Sequence, residues 1–185
     1  MVGDFMVPAS EMHGGIVEMK KPVITVTEDF TKEFNKTVKS FKNDAVLVGV
    51  PAEDTKRSES GPITNAAILA MNNFGSALAN IPAWPVMSIG LKKVQDEVAE
   101  LFRQAIVKSL NTFSDDPLDT YYNRAGIVAS QSIKKTINDQ DEAPPLADST
   151  LAARKSKGFK GNKRLIVTGQ ARNSITYVVN KYGRS

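Results

Sequence analysis

The chain has 185 residues, of which 41% are hydrophobic, and it carries a formal net charge of +4, one histidine and no cysteine. This length and apolar content suit one globular domain and exclude a chain that is disordered by composition. The missing cysteines exclude disulfides and thiolate chemistry, His13 alone cannot form a multi-histidine metal site, and no segment approaches the ~20 apolar residues of a membrane span.

Charge is distributed unevenly along the sequence. Residues 151–185 contain nine basic residues and no acidic one, whereas residues 1–150 contain 15 basic and 20 acidic residues. This asymmetry indicates an acidic partner for the C-terminal segment, either nucleic acid or a carboxylate-rich protein surface. The alternative interpretation is a solvated basic loop that keeps the protein soluble.

The N-terminal part of the sequence predicts an arm, a strand and a helix. Residues 1–22 show no period and are predicted to form the arm, and the β-branched residues 23–26 predict a strand. Thr27 suits a helix N-cap, and the helix is expected to end near Lys42. Its core face is predicted from apolar residues at helical spacing, which are Phe30, Phe34, Val38 and Phe41.

The next segments predict a strand, a loop and a short helix. Residues 45–50 form a continuous apolar run, which predicts a buried strand, and the polar residues 51–62 predict a surface loop. Residues 64–74 predict a helix that ends at Gly75. The predicted core face of this helix consists of Ala67, Ile68, Met71 and Phe74.

Two long helices are predicted in the second half of the chain. Residues 91–110 and 118–137 both keep a 3.6-residue apolar period, and their short connection predicts antiparallel packing. The predicted core face of the second helix consists of Tyr121, Ala125, Val128, Ala129, Ile133 and Ile137. The two prolines within residues 81–85 exclude a helix interior and predict an extended or turn segment.

The C-terminal part predicts two loops and a strand. Residues 139–148 are acidic and contain two adjacent prolines, so they are expected to be irregular. Residues 155–164 are basic, contain two glycines and predict a long flexible loop. A turn at Thr168 and Gly169 precedes a terminal strand around residues 175–178.

The order of these elements predicts an α+β fold, because strands and helices do not alternate as in a doubly wound sheet. We expect a small, mostly antiparallel sheet packed with two long antiparallel helices and a shorter helix. The predicted organisation is an N-terminal arm, 1–22, and a single domain, 23–185, with long loops at 51–62 and 139–164.

The sequence offers no catalytic constellation. His13 lies beside two glycines and is interpreted as a solvated loop residue, since a triad histidine needs a fixed orienting partner. The glycines and lysines of 158–163 lack the strand–loop–helix setting of a phosphate-binding loop. Three pairs of adjacent acidic residues lie in predicted loops and are interpreted as solvated, namely Glu53–Asp54, Asp115–Asp116 and Asp141–Glu142. We therefore predict a protein that is not an enzyme and has no cofactor and no metal site.

Two separate motifs resemble a known family. The first is NFG at 73–75 followed by IPAWPVM at 81–87, which is similar to an "EFG…IPARPFL" signature. The second begins with LADST at 146–150, continues through Arg154 and Lys155, and ends with LIVTGQARNSITY at 165–177, which resembles "L…ST…R…PL..TGQ…SI.Y". Together they resemble the neck and tail-completion, or head–tail joining, proteins of tailed bacteriophages. Trp84 and Val86 stand where that signature has Arg and Phe.

The resemblance implies a structural virion protein at the head–tail joint, assembled in the cytoplasm of the bacterial host. It implies a homo-oligomeric ring, on the order of six or twelve subunits, closed by heterologous contacts. The implied partners are other neck, portal-side or tail-tube proteins, with non-specific contact to genome DNA in the channel left open and no membrane. The alternative function is a small basic nucleic-acid-binding protein.

The candidate interface residues come from the first motif and from a basic segment, defined here as residues 154–164. They are Ile81, Pro82, Trp84, Pro85, Arg154, Lys155, Lys157, Lys160, Lys163 and Arg164. Because prolines restrict the chain on both sides of Trp84, we expect its indole to be buried, either in the core or against a neighbouring subunit.

Overall fold

A computed structural model describes residues 28–51 and 63–181 of the chain. Within these ranges the fold is α+β, as predicted, with helices and one two-stranded antiparallel sheet. The elements in chain order are α1 (Thr31–Asn43), β1 (Asp44–Gly49), α2 (Asn65–Phe74), α3 (Val86–Lys93), α4 (Gln95–Thr112), α5 (Asp116–Asp139), α6 (Asp148–Ser156), α7 (Gln170–Asn173) and β2 (Thr176–Lys181). The predicted arm, the strand at 23–26, Thr27 and most of the loop at 51–62 lie outside the described residues.

The central helix α5 organises the domain. It packs against α4, α3 and both strands. Five of the six residues predicted for its core face are buried, and Val128 is half-buried. Phe102 of α4 meets Tyr122 edge to face at 5.2 Å, and Lys108 Nζ donates to Tyr121 Oη over 2.5 Å. Since residue numbers rise along α4 as they fall along α5, the two helices run antiparallel, as predicted.

The sheet pairs a strand from the early part of the described chain with the strand that ends it. β1 and β2 pair antiparallel from Asp44 with Lys181 to Gly49 with Thr176. The strand predicted at 45–50 is confirmed, but its predicted burial is wrong, because β1 is only half-buried and Leu47 is exposed. A two-stranded sheet that rests one face on α5 leaves its other face open to solvent.

Local sequence signals place the ends of α2 correctly. The hydroxyl of Thr64 accepts a hydrogen bond from the backbone N–H of Ala67 at 3.1 Å, and Gly75 follows the helix with a φ of +79°. At Gly75 a Cβ atom would lie 2.9 Å from the backbone nitrogen of Ala83, so a larger residue would collide there. The predicted core face is wrong, however. Leu69 is the buried apolar residue of α2, and Phe74 is 79% exposed.

Two further predictions about helices are confirmed only in part. The helix predicted at 91–110 is two helices, α3 and α4, which meet at Val94. α3 packs closely on α5, since a Cβ atom at Gly90 would lie 2.7 Å from the Cα of Ile133. Of the core face predicted for α1, Phe30, which is its N-cap residue, and Phe34 are about half exposed. Phe41, at the other end of the face, packs against the core cluster that contains Tyr121. Helix α1 buries only Thr37 and Ser40 fully, so its first turns lie at the surface.

Candidate functional site

The segment Ile81–Pro85 is held at both ends by backbone hydrogen bonds. Ser76 and Ile81 exchange two N–H···O bonds of 2.8 and 2.9 Å, which close the turn after α2. The N–H of Trp84 donates to the carbonyl of Asn72 at 2.8 Å. The segment is not helical, as the two prolines predict, and its hydrogen bond to Asn72 ties it to α2.

The indole of Trp84 is fully buried within its own chain, at 0% exposure. Its Nε1–H donates to the carbonyl oxygen of Asp141 over 2.8 Å, which satisfies its polar atom. The ring belongs to an apolar cluster, called here the Trp84 core, whose buried members are Leu69, Trp84, Val86, Ile133, Ile137 and Ile175. The expected burial of Trp84 is confirmed, but the indole has no surface with which to contact a second subunit directly.

Both motifs of the sequence contribute to this core. Trp84 and Val86 come from the first motif, and Ile175 comes from the second. Leu165 and Ile166, also from the second motif, pack against the same cluster. Segments that are far apart in the sequence are thus adjacent in space.

The basic segment is folded against the domain. Its first three residues, 154–156, belong to helix α6. Arg154 Nη1 donates to the carbonyl of Lys163 at 2.8 Å. Lys163 Nζ donates to the carbonyl of Asn138 at the end of α5, also over 2.8 Å. The prediction of a long flexible loop over 155–164 is therefore wrong in its first two residues, which are helical, and the remainder folds back on α6.

Gln140 fixes the end of the basic segment. Its side-chain oxygen accepts from the backbone N–H of Arg164 at 2.6 Å, and its Nε2 donates to the carbonyl of Arg164 at 3.1 Å. Gln140 itself ends α5 in the left-handed conformation, with a φ of +60°. These contacts turn the side chain of Arg164 towards the domain.

Arg164 is a buried cation, with an exposure of 4%. Its Nη2 donates to the carbonyl of Pro82 over 3.4 Å, a long hydrogen bond. Its Nε and Nη1 have no hydrogen-bond partner among the described residues. Burial lowers the pKa of Arg164 below its usual value, and the nearby guanidinium of Arg154 lowers it further.

Arg164 and Arg154 line a cavity of about 460 Å³, called here the arginine pocket. Its walls are α2, the turn before Pro82, α6 and the chain after Arg164. Lys157 is its third cationic residue, and no Asp or Glu of the described chain lines it. The apolar part of the lining includes Ile68, Pro82, Leu146, Phe159, Leu165 and Val167.

Large apolar side chains form two exposed groups elsewhere on the surface. Phe74 belongs to the first motif, and the fully exposed Leu78 lies in the turn between the two parts of that motif. Phe30 stacks on Phe113 with the ring centroids 5.0 Å apart, and both rings remain more than a third exposed. Exposed aromatic and aliphatic groups of this kind are typical of surfaces that contact other proteins.

The candidate interface residues divide into exposed and buried ones. Six are exposed, namely Pro82, Pro85, Lys155, Lys157, Lys160 and Lys163. Ile81 and Arg154 are half-buried. Trp84 and Arg164 lie inside the domain, so their direct surface role is corrected to an internal one.

Sequence reasoning missed the pocket as a unit. Phe159 and Leu146 are distant in sequence from Ile68 and carry no motif that would link them. A signal existed only at Arg164, a charged residue directly before the apolar run at 165–167.

Within residues 28–51 and 63–181, no group of three or more His, Asp or Glu side chains could hold a metal ion. None of the helices in these ranges combines the length and the apolar character that a membrane span requires.

Comparisons with protein families, with curated proteins and with solved structures find no match for this chain.

Proposed function

We propose that the protein is a structural subunit of the head–tail joint of a tailed bacteriophage, where it forms part of a ring. The observation that carries the proposal is the resemblance of two motifs, at 73–87 and 146–177, to those of neck and tail-completion proteins. Their order and spacing make the pair more specific than either motif alone.

The packing of the two motifs supports the proposal. Trp84 and Ile175, one from each motif, belong to one buried cluster, and Arg164 reaches the carbonyl of Pro82 across the gap between them. Residues that form one structural unit can account for a paired signature without any catalytic group. This is the expected pattern when a signature reflects a fold that presents surfaces to neighbours.

The surface also offers two chemically unlike patches, which is compatible with the needs of a closed ring. A heterologous contact joins different patches of neighbouring subunits, so each subunit needs two. One candidate patch is apolar and centres on Phe74 and Leu78. The other is the set of exposed lysines of the basic segment, whose partners in a neck would be carboxylates of adjoining proteins.

The alternative function, a small nucleic-acid-binding protein, is favoured by the acid-free sequence of 151–185. Several of its basic groups are already engaged within the chain. Lys181 forms an ion pair with Asp119 at 2.5 Å, and Arg172 Nη1 donates to the side chain of Asn138 at 2.6 Å. Arg164 is buried. Fewer cations therefore remain to contact phosphates, so a protein partner is the better proposal.

Removal of the gene from its phage tests the proposal. We expect filled heads and separate tails in electron micrographs, with infectivity restored when the protein is supplied from a plasmid. The neighbouring genes should encode portal, capsid and tail-tube proteins. Intact, infectious particles without the protein would overturn the proposal.

A charge-neutralising variant tests the role of the basic segment. Replacing Lys155, Lys157, Lys160 and Lys163 with Gln should leave the circular dichroism spectrum unchanged and reduce the yield of joined particles. The matched control replaces four exposed lysines of α1 with Gln, which changes the net charge equally: Lys32, Lys36, Lys39 and Lys42. Equal effects of the two variants would show that the net charge matters and not the basic segment.

A further inference from the structure

The arginine pocket carries an excess of positive charge that no acidic residue of the described chain neutralises. Arg154, Arg164 and Lys157 line it, and no acidic residue does. Arg164 is 4% exposed, and two of its three guanidinium nitrogens have no partner among the described residues. Buried charges in proteins are normally paired, because an unpaired one carries a large desolvation cost.

The backbone around the pocket explains why Arg164 stays buried in spite of this cost. Gln140 holds both backbone polar groups of Arg164, at 2.6 and 3.1 Å. Leu165 and Ile166, which follow it, pack on the Trp84 core. The side chain therefore cannot leave the interior unless these contacts break. Its Nε and Nη1 are covered in this conformation, so an anion reaches these nitrogens only when the pocket lining shifts.

We propose that the arginine pocket is a binding site for a carboxylate side chain of a partner polypeptide that carries an apolar residue beside it. Arg154 and Arg164 would hold the carboxylate, since guanidinium groups match its planar geometry and charge. The apolar lining, which includes Leu146 and Phe159, would cover the neighbouring side chain. The inference depends on the pocket alone and does not require the proposed virion role.

The shape of the pocket favours a peptide over a nucleic acid. A cavity of about 460 Å³ is large enough for one or two side chains, and part of its lining is apolar. Duplex DNA presents phosphates on a convex, strongly polar backbone, which would reach the exposed lysines before the buried guanidinium of Arg164. A carboxylate on a short side chain can enter where a duplex cannot.

Two peptides and the full-length protein test the proposal. The first probe is the acetylated, amidated peptide Ser-Leu-Glu-Leu-Ser, and the second has Gln in place of Glu. NMR shift titrations should show pocket residues perturbed by the Glu peptide, with an affinity about tenfold higher than for the Gln peptide, as expected for one lost charge-assisted interaction. Equal affinities for the two peptides would overturn the proposal.

Variants then locate the binding. Arg164→Met removes the charge and keeps most of the apolar stem, so it should abolish the preference for Glu. Lys160→Met makes a similar change outside the pocket and should keep that preference. Should Arg164→Met fail to fold by circular dichroism, the half-exposed Arg154→Met provides the same test. A preference that persists in either folded arginine variant would overturn the proposal.

Competition distinguishes the peptide from other anions. Inorganic phosphate at the same concentration should displace little of the Glu peptide, because it has no apolar part for the pocket to cover. Displacement by phosphate as effective as by unlabelled Glu peptide would overturn the assignment to a polypeptide carboxylate. Displacement by a short DNA duplex at lower concentration would overturn it in favour of a nucleic acid.

Discussion

The two sides of the Ile81–Pro85 segment differ in whether their buried polar groups have hydrogen-bond partners. On one side, Trp84 is fully buried among apolar residues and its single donor is satisfied by Asp141 at 2.8 Å. On the other side, Pro82 lines a cavity in which Arg164 is also buried, but with two nitrogens unpaired among the described residues. The same short segment therefore borders a core whose buried polar group is hydrogen-bonded and a cavity whose buried cation lacks partners among the described residues.

This difference indicates that the Trp84 core contributes to stability and that the arginine pocket is suited to binding. A satisfied apolar cluster contributes stability through buried area and packing. An unpaired buried cation reduces stability, and proteins retain such groups mainly where a ligand or partner completes them. The arginine pocket is therefore the better candidate for a binding site, although the motif residue Trp84 is the more conspicuous feature of the sequence.

The largest expected effect is on the Trp84 core. Trp84→Ala should lower the free energy of unfolding by about 3 kcal/mol, because it leaves a large cavity and an unpaired carbonyl at Asp141. Chemical denaturation followed by far-UV circular dichroism measures this change. Trp84→Phe is the control, since it keeps an aromatic ring and should lose clearly less. Equal losses for the two variants would mean that ring packing is not what stabilises this side.

Close packing of α3 on α5 gives the second effect. Gly90→Ala would put a Cβ atom 2.7 Å from the Cα of Ile133, so the helices must separate and the free energy of unfolding should fall by about 2 kcal/mol. The same substitution at Gly49, where nothing lies within 4 Å, should change it little. Both variants are compared by thermal and urea denaturation. A destabilisation at Gly49 as large as at Gly90 would contradict the steric explanation.

The arginine pocket should respond in the opposite direction. Arg164→Met should raise the free energy of unfolding by about 1 kcal/mol, because it replaces a buried charge, two of whose nitrogens have no partner among the described residues, with an apolar side chain. Differential scanning calorimetry of the free protein detects the rise. A clear fall in the melting temperature would mean that Arg164 stabilises the free protein. Both sides of the Ile81–Pro85 segment would then contribute to stability.

The smallest effect is expected at the surface beside the Trp84 core. Lys93 and Asp141 form an ion pair, with side chains 44% and 38% exposed. Asp141→Asn should change stability by less than about 0.5 kcal/mol, since exposed ion pairs are screened by solvent. Denaturation at low and at high salt measures it. A loss comparable with that of Trp84→Ala would show that the ion pair, and not the indole, holds the loop after α5.

Some parts of the fold followed from local sequence signals. The glycine after α2, the non-helical Ile81–Pro85 segment and most of the core face of α5 were all predicted. Each depends on a short-range property, such as a positive φ, a proline ring or a periodic apolar face. The burial of Trp84 also followed, because the prolines around it limit where the indole can go.

The tertiary structure decided the remainder. The sequence alone marked Phe30, Phe34 and Phe74 as core residues, but burial depends on whether another element covers a face, and none of the described elements covers these fully. It placed Arg164 in a flexible loop, because it cannot show that Gln140 and the apolar residues after Arg164 fix the backbone there. Periodicity shows which residues share a face, and only packing over long sequence distances determines whether that face is core, surface or pocket.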